Sequence, residues 1–200
     1  MSPRTPAQGI EIVEESLASL AQYADVRIAF DVTRVLDISH NGEFVLTERV
    51  LECPYVKDYD LIERERPARW ASTFDVSNWG VLAARTDGRR VGGATLAFDT
   101  AGLDILGGRR DLAALWDIRV TPDMRGRGVG NALFRAAESW AAARGCRQLT
   151  IETQNVNVPA CRFYARQGCS LVSIDPVAYP DFPDEVQMIW RKYLGCALPG

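Results

Sequence analysis

The chain has 200 residues, 47% hydrophobic, with no linker rich in Gly, Ser or Pro, which suits one substantial core and a single domain. Its formal charge of -3 offers no global electrostatic case for nucleic acid or an anionic membrane, so neither partner is expected. No apolar run approaches the roughly 20 residues of a membrane helix and no apolar signal segment opens the chain, so a cytoplasmic protein is expected.

Residues 9–23 place Ile10, Val13, Leu17 and Leu20 near helical spacing, with Glu11, Glu14 and Glu15 early, where a helix dipole favours acids. A short amphipathic helix is predicted there. Residues 26–38 and 43–51 are rich in β-branched and apolar side chains, and Asn41-Gly42 between them signals a hairpin of two antiparallel strands. The charged, turn-like residues 58–70 predict a broken helix ending near Pro67. A second hairpin follows, residues 79–86 and 91–99 flanking Asp87-Gly88, and residues 100–111 read as a glycine-containing loop.

The second half changes character. Residues 112–120 predict an apolar strand stopped by Pro122, and residues 129–144 carry Val129, Ala132, Leu133, Ala136, Ala137 and Trp140 on one face of a helix closed by Gly145. Next come a strand at 148–153, a helix from Asn157 to Gly168, and closing strands at 170–174 and 186–193 around a Pro-rich loop at 175–184. A strand, a helix and a strand in so short a stretch imply a right-handed crossover between parallel neighbours. The order is mixed α+β.

Five cysteines, at 53, 146, 161, 169 and 196, form no CxxC pair, and their odd count and wide spacing speak against a disulfide framework. Cys161 as a nucleophile competes with the reading of a packed thiol, and the second is preferred because its helix is apolar and the only histidine, His40, lies in the turn-like Ser39-His40-Asn41-Gly42. One histidine also removes most zinc sites and any Ser-His-Asp arrangement.

Arg125-Gly126-Arg127-Gly128-Val129-Gly130 lies between a predicted strand and a predicted helix. Glycines let backbone approach a ligand closely, and the unpaired amides of a helix start present partial positive charge, so a pyrophosphate is the natural tenant. An ordinary glycine-rich turn is the alternative. A P-loop would continue Gly-Lys-Ser/Thr, but Gly130 is followed by Asn131, and a Rossmann fingerprint would need a small residue at Asn131 or Leu133. Arg-x-x-Gly-x-Gly between strand and helix remains.

That segment resembles the acetyl-CoA loop of the GNAT superfamily of N-acetyltransferases, Gln/Arg-x-x-Gly-x-Gly/Ala. Residues Trp116-Asp117-Ile118-Arg119-Val120-Thr121-Pro122 resemble the strand before that loop, and Asn157-x-x-Ala160-x-x-x-Tyr164-x-x-x-Gly168 resembles the helix after the next strand. The resemblance covers residues 79–194. Within the superfamily it is nearest to streptothricin acetyltransferases, through Glu152-Thr153-Gln154, Asn157-Val158-Pro159-Ala160-Cys161, Ser173-Ile174-Asp175 and Pro54-Tyr55-Val56-Lys57-Asp58-Tyr59. Cys169, where the family usually has Phe, and the long segment 100–111 depart from it. The implied architecture is a mostly antiparallel mixed sheet with a parallel strand pair at the acetyl-CoA cleft, flanked by helices, with residues 1–75 as variable acceptor-site elements and 76–195 as the acetyl-CoA-binding core.

The implied reaction is direct acetyl transfer from acetyl-CoA to a primary amine of a small molecule, with streptothricin-like antibiotics as candidates. A protein or peptide N-acetyltransferase and a non-catalytic acyl-CoA sensor are the alternatives. A lysine-like amine with pKa about 10.4 costs roughly 4 to 5 kcal/mol to neutralise at pH 7, so a proton acceptor is needed. Asp117 and Glu152 are the candidates; each also reads as a solvated or salt-bridged strand acid. The family places the tyrosine matching Tyr164 beside the sulfur, where it would donate a hydrogen bond to the leaving thiolate; the alternative is an aromatic packed next to Phe163. Asn157 caps its helix, binds cofactor, or both. The resemblance assigns the pantetheine arm to the backbone of Ile118, Arg119 and Val120, and the rest of the cofactor to Arg125, Gly126, Arg127, Gly128, Val129, Gly130, Asn157, Ala160 and Tyr164. Tyr55, Tyr59 and Trp70, with Asp58 and Asp60, form an acidic and aromatic run suited to a cationic amine, and equally to a solvated loop with core aromatics. No metal is required, and a sheet edge or helix face would support a homodimer.

Overall fold

The computed structural model describes residues 9–63 and 66–195, so Cys196 lies outside the described residues. Its strands are β1 (Glu11–Glu15), β2 (Phe30–His40), β3 (Phe44–Lys57), β4 (Gly80–Thr86), β5 (Arg89–Phe98), β6 (Leu112–Val120), β7 (Gln148–Gln154), β8 (Ser170–Asp175) and β9 (Gln187–Tyr193). The helices are α1 (Leu20–Tyr23), α2 (Pro67–Thr73), α3 (Val129–Ala143) and α4 (Val158–Arg166). Seven strands form a mixed sheet in the order β1-β4-β5-β6-β7-β9-β8, with β6 and β7 as the parallel pair, and β2-β3 form a separate ribbon. The expected α+β class holds. The chain divides into two compact units, the first taking residues 9–28, 58–149 and 194–195 of those described, the second 29–57 and 150–193. No helix among the described residues is long and apolar enough to cross a membrane.

In the first unit the predicted helix at residues 9–23 is mostly a strand. β1 pairs antiparallel with β4 from Glu11↔Arg85 to Glu15↔Val81, and only Leu20–Tyr23 is α-helical. Short isolated helices are marginal, whereas the open edge of β4 offers a complete ladder of backbone partners. Two of the three acids that looked like helix-start residues bind cations and a ring nitrogen instead: Trp140 Nε1 donates to Glu14 at 2.8 Å, and Glu15 accepts from Arg85 at 2.8 Å and from Arg90.

The Asp87-Gly88 hairpin forms as predicted, with both residues at positive φ (50° and 77°), as a type I′ turn requires. Between β5 and β6 the register runs Thr95↔Asp117 and then Leu96↔Leu115, which makes Trp116 an extra, bulged residue. Trp116 packs with Trp70, Phe74 and Trp79 in an aromatic core that also holds Tyr23, Leu103, Leu106 and Leu112. Each fully buried side chain of this kind contributes about 1.5 to 3 kcal/mol. Leu103 and Leu106 come from residues 100–111, so that loop is a core element with a short 3-10 turn.

The helix expected to end near Pro67 begins there. Pro67 stands in the first turn of α2, where its missing N–H has no intrahelical acceptor to lose. Helix α3 buries Val129, Leu133, Phe134, Ala137, Trp140 and Ala141, close to the predicted face. It can lie against the sheet because of Gly92 on β5: a Cβ there would meet the Arg119 carbonyl at 2.8 Å, Val129 Cγ1 at 3.1 Å and Leu133 Cδ1 at 3.2 Å.

In the second unit β2 and β3 pair antiparallel around Asn41-Gly42, and β3 continues to Lys57, past the predicted end at 51. The register jumps from Val32↔Tyr55 to Arg34↔Val50, which leaves residues 51–54 as a bulge that includes Pro54, a residue without a donor for the ladder. Asn155 clips three segments together. Its backbone exchanges with Leu36 and Val186, its side-chain carbonyl accepts from Val186 N at 2.8 Å, and its amide donates to Leu36 O at 3.3 Å. Helix α4 follows, and β8 and β9 close the unit as an antiparallel pair.

Candidate active site

In the first unit β6 ends at Val120, a 3-10 turn spans Pro122–Met124, and the chain crosses residues 125–128 to α3. Arg125 Nε donates to Val120 O at 3.0 Å, which folds the start of the loop back on the strand. Gly126 and Gly128 have φ of 73° and 92°, and Gly128 is the N-cap of α3. A side chain at φ of 92° is strained, so the loop shape itself demands glycine there. The first intrahelical bond runs from Ala132 N to Gly128 O at 3.0 Å, so the amides of Val129 and Gly130 lie ahead of it, at the positive end of the helix dipole. Arg125, Gly126, Arg127 and Gly128 are exposed, while Val129 is buried and pins the helix start. Backbone amides at a helix start beside exposed arginines are groups suited to an anion.

Ile118, Arg119 and Val120 pair with Ala94, Gly93 and Gly92 of β5. The Arg119 side chain is only 1% exposed and points to protein, so main chain is what it can offer a cofactor. It grips Asp117 with two bonds, Nε to Oδ1 at 2.9 Å and Nη2 to Oδ2 at 2.6 Å, and reaches Val26 O at 3.1 Å and Asp60 at 3.0 Å. Tyr23 donates to Asp117 Oδ1 at 2.5 Å and lays its ring under the Arg119 guanidinium. Burial, then the Asp117 charge, holds the Tyr23 phenol well above its ordinary range, so it stays a donor. Sequence reading missed Tyr23, which lies 94 positions from Asp117 and shows no local signal.

The acidic and aromatic run of the first unit is largely structural. Asp58 accepts from Asp60 N at 3.1 Å, Asp60 faces Arg119, and Tyr59 is half-buried in a 3-10 turn. Trp70, read as an acceptor-site aromatic, is 2% exposed with its ring against Tyr23, Trp79 and Trp116. It is a core residue, as the alternative reading had it.

In the second unit Glu152 is exposed on β7. Its Oε1 accepts from Tyr179 Oη at 2.6 Å and its Oε2 from Gln187 Nε2 at 2.9 Å. Asn157 is the N-cap of α4, its carbonyl accepting from Ala160 N at 3.2 Å. Ala160 and Tyr164 are one turn apart on α4, Ala160 half-buried and Tyr164 buried against Phe163 and Trp190. Cys161 is buried beside Met188, and burial pushes its thiol up to about 12, which suits a packed thiol and not a nucleophile. Tyr55 on β3 is exposed, with its phenol raised by burial and by the charges of Glu185 and Asp184.

Residues 46–169 match the acetyltransferase (GNAT) family. The chain belongs to the GNAT family. As a GNAT acetyltransferase it is an acetyl-CoA-dependent acyltransferase, and it is close to the streptothricin acetyltransferases. It is 29% identical over 166 residues to streptothricin acetyltransferase A of Bacillus subtilis (strain 168), covering 78% of this chain and 84% of the relative. It is 28% identical over 152 residues to the streptothricin acetyltransferase of Streptomyces lavendulae, 76% of each chain. The crystal structure of nourseothricin acetyltransferase shares the GNAT fold with a TM-score of 0.72 at 22% identity, over 94% of this chain and 99% of that one.

Proposed function

We propose that this GNAT enzyme moves the acetyl group of acetyl-CoA to a primary amine of a small, streptothricin-like molecule by direct attack. The observation that carries the reading is the likeness to streptothricin acetyltransferase A, which extends over 78% of the chain and so takes in acceptor-side as well as cofactor-side segments. In this reading the amides and cations of residues 125–130 hold the pyrophosphate, the backbone of Ile118, Arg119 and Val120 takes the pantetheine arm, and Asn157 and Ala160 support the cofactor from α4. Tyr164 donates to the departing thiolate, and a backbone amide of β6 receives the oxyanion. Tyr55, beside Asp184 and Glu185, and Tyr59 supply aromatic faces for a cationic acceptor.

Of the two carboxylates weighed as proton acceptor, the partners of each favour Glu152. To take a proton, Asp117 would have to surrender a two-pronged guanidinium contact in a buried position, whereas Glu152 is exposed and held by neutral donors. Asp117 then orders the strand, and Glu152 removes the proton, directly or through water.

The test is CoA release from acetyl-CoA against a panel of streptothricin, aminoglycosides, polyamines and lysine-bearing peptides. Turnover concentrated on streptothricin, with kcat/KM lowered about a hundredfold or more in Glu152→Gln, supports the reading. Preference for the peptides moves the acceptor to protein. Tight acetyl-CoA binding with no CoA released by any amine refutes the enzymatic assignment of the acceptor class.

A further inference from the structure

An exposed carboxylate on a strand wanders among rotamers unless its neighbours hold it, and a wandering base meets its proton poorly. Glu152 is held. Tyr179 Oη donates to Oε1 at 2.6 Å while accepting from Gln154 Nε2 at 2.9 Å, so the single phenolic proton is committed to Glu152. Gln187 Nε2, from β9, holds the other oxygen at 2.9 Å. Tyr179 is half-buried, and burial and the Glu152 charge keep its phenol well above the ordinary tyrosine range, which preserves it as a donor.

Tyr179 belongs to the connection between β8 and β9, a segment with Pro176, Pro180 and Pro183 that would otherwise have freedom to move. Its two ends are tied. Val177 N donates to Asp175 Oδ1 at 2.9 Å, Phe182 N donates to Tyr179 O at 2.9 Å, and Glu185 N donates to Phe182 O at 2.9 Å. Glu185 is then fixed by a buried ion pair with Lys57, whose ammonium lies over the Phe182 ring at 3.6 Å. The connection is thus an arm that carries the Tyr179 hydroxyl to Glu152 and Gln154 of β7.

We propose that Tyr179 is a positioning residue for acetyl transfer: presented by this arm and oriented by Gln154, it fixes the Glu152 carboxylate for proton removal and sets the pH range in which the carboxylate is charged. The inference rests on the reading of Glu152 as the proton acceptor. In the step it serves, the acceptor ammonium gives a proton to Glu152, the amine nitrogen forms the C–N bond as the C–S bond breaks, and a second nitrogen proton passes to the departing thiolate, so that CoA leaves as the thiol. Around the carboxylate stand Gln154 from its own strand, Gln187 from β9 and Tyr179 from the connection, and of these Tyr179 alone titrates.

Removing a donor from a carboxylate disfavours its charged form, so Tyr179→Phe in the full chain moves the acidic limb of the kcat/KM profile to higher pH, by about half to one unit. Near neutral pH kcat falls about three- to tenfold, with KM for acetyl-CoA unchanged. The carboxyl carbon of Glu152, followed by NMR in the absence of substrates, titrates at correspondingly higher pH. In the Glu152→Gln background the Tyr179→Phe change has no further effect on turnover. An unmoved limb and titration, or an equal loss in both backgrounds, overturns the role of Tyr179 while leaving Glu152 as the base. Full turnover by Glu152→Gln alone overturns the base and this inference together.

Discussion

Asp117 and Glu152 are both acids on strands flanking a helix, and nothing in their local sequence separates them. Their partners do. Asp117 is closed in by Arg119, Tyr23 and, through Arg119, Asp60, so Arg119→Met leaves an uncompensated buried carboxylate. We expect it to cost about 3 to 5 kcal/mol in urea unfolding, far more than Glu152→Gln costs. Cysteine chemistry divides in the same way. Cys53 is exposed, while Cys146, Cys161 and Cys169 are buried, the thiols of Cys146 and Cys161 being raised by that burial. Peptide mapping after brief alkylation of the native protein at pH 8 is therefore expected to show Cys53 modified and those three protected until the chain is denatured. That Cys161 would be a packed thiol was legible from its apolar helix and the lone histidine. Trp70 as a core aromatic was one of two readings left open, and Tyr23 as the partner of Asp117 was not legible, because both depend on segments distant in sequence.

At the level of elements, strong turn chemistry was read correctly and weak periodicity was not. Asn41-Gly42 and Asp87-Gly88 specify hairpins by their backbone freedom alone, whereas residues 9–23 gave a helical spacing that the open edge of β4 overrode. The placement of β1 has a measurable signature. Burial pushes the Glu15 carboxyl up, but its bonds to Arg85 and Arg90 outweigh that and leave it below the ordinary value of 4.5. A depressed folded value means that its stabilisation is present above about pH 5 and is lost as pH falls through the folded value. Glu15→Gln should accordingly flatten the wild-type decline in stability between about pH 5 and pH 3, measured by thermal unfolding. Two glycines, Gly92 on β5 beside β6 and α3 and Gly128 at the start of α3, answer differently to a methyl group. Gly92→Ala meets backbone and two core side chains and is expected to lower stability by about 1 to 3 kcal/mol. Gly128→Ala finds open space but a φ of 92°, so a loss nearer 1 to 2 kcal/mol is expected, with acetyl-CoA affinity reduced about tenfold by titration calorimetry.

For the molecule as a whole, cofactor binding and folding are linked. Acetyl-CoA at about a hundred times its Kd should add about 2.7 kcal/mol of stability, a rise of roughly 5 to 10 °C in Tm for a chain of this size. The rise should shrink in Gly128→Ala at equal ligand concentration, which scanning fluorimetry can follow. A flat Tm with saturating acetyl-CoA would contradict the assigned cofactor. By itself the sequence determined the α+β class, the two hairpins, the strand, glycine loop and helix from β6 to α3, and through three ordered motifs the GNAT family. Those features are local, set by turn geometry, hydrophobic period and the amides of a helix start, and they survive without knowledge of neighbours. Only the tertiary structure decided that β1 is an edge strand, that residues 100–111 feed the core, that Asp117 is locked to Arg119 and Tyr23, and that Tyr179 holds Glu152. Each of those depends on which distant segment supplies the partner, and a charged or aromatic side chain takes its role from that partner and from its share of solvent.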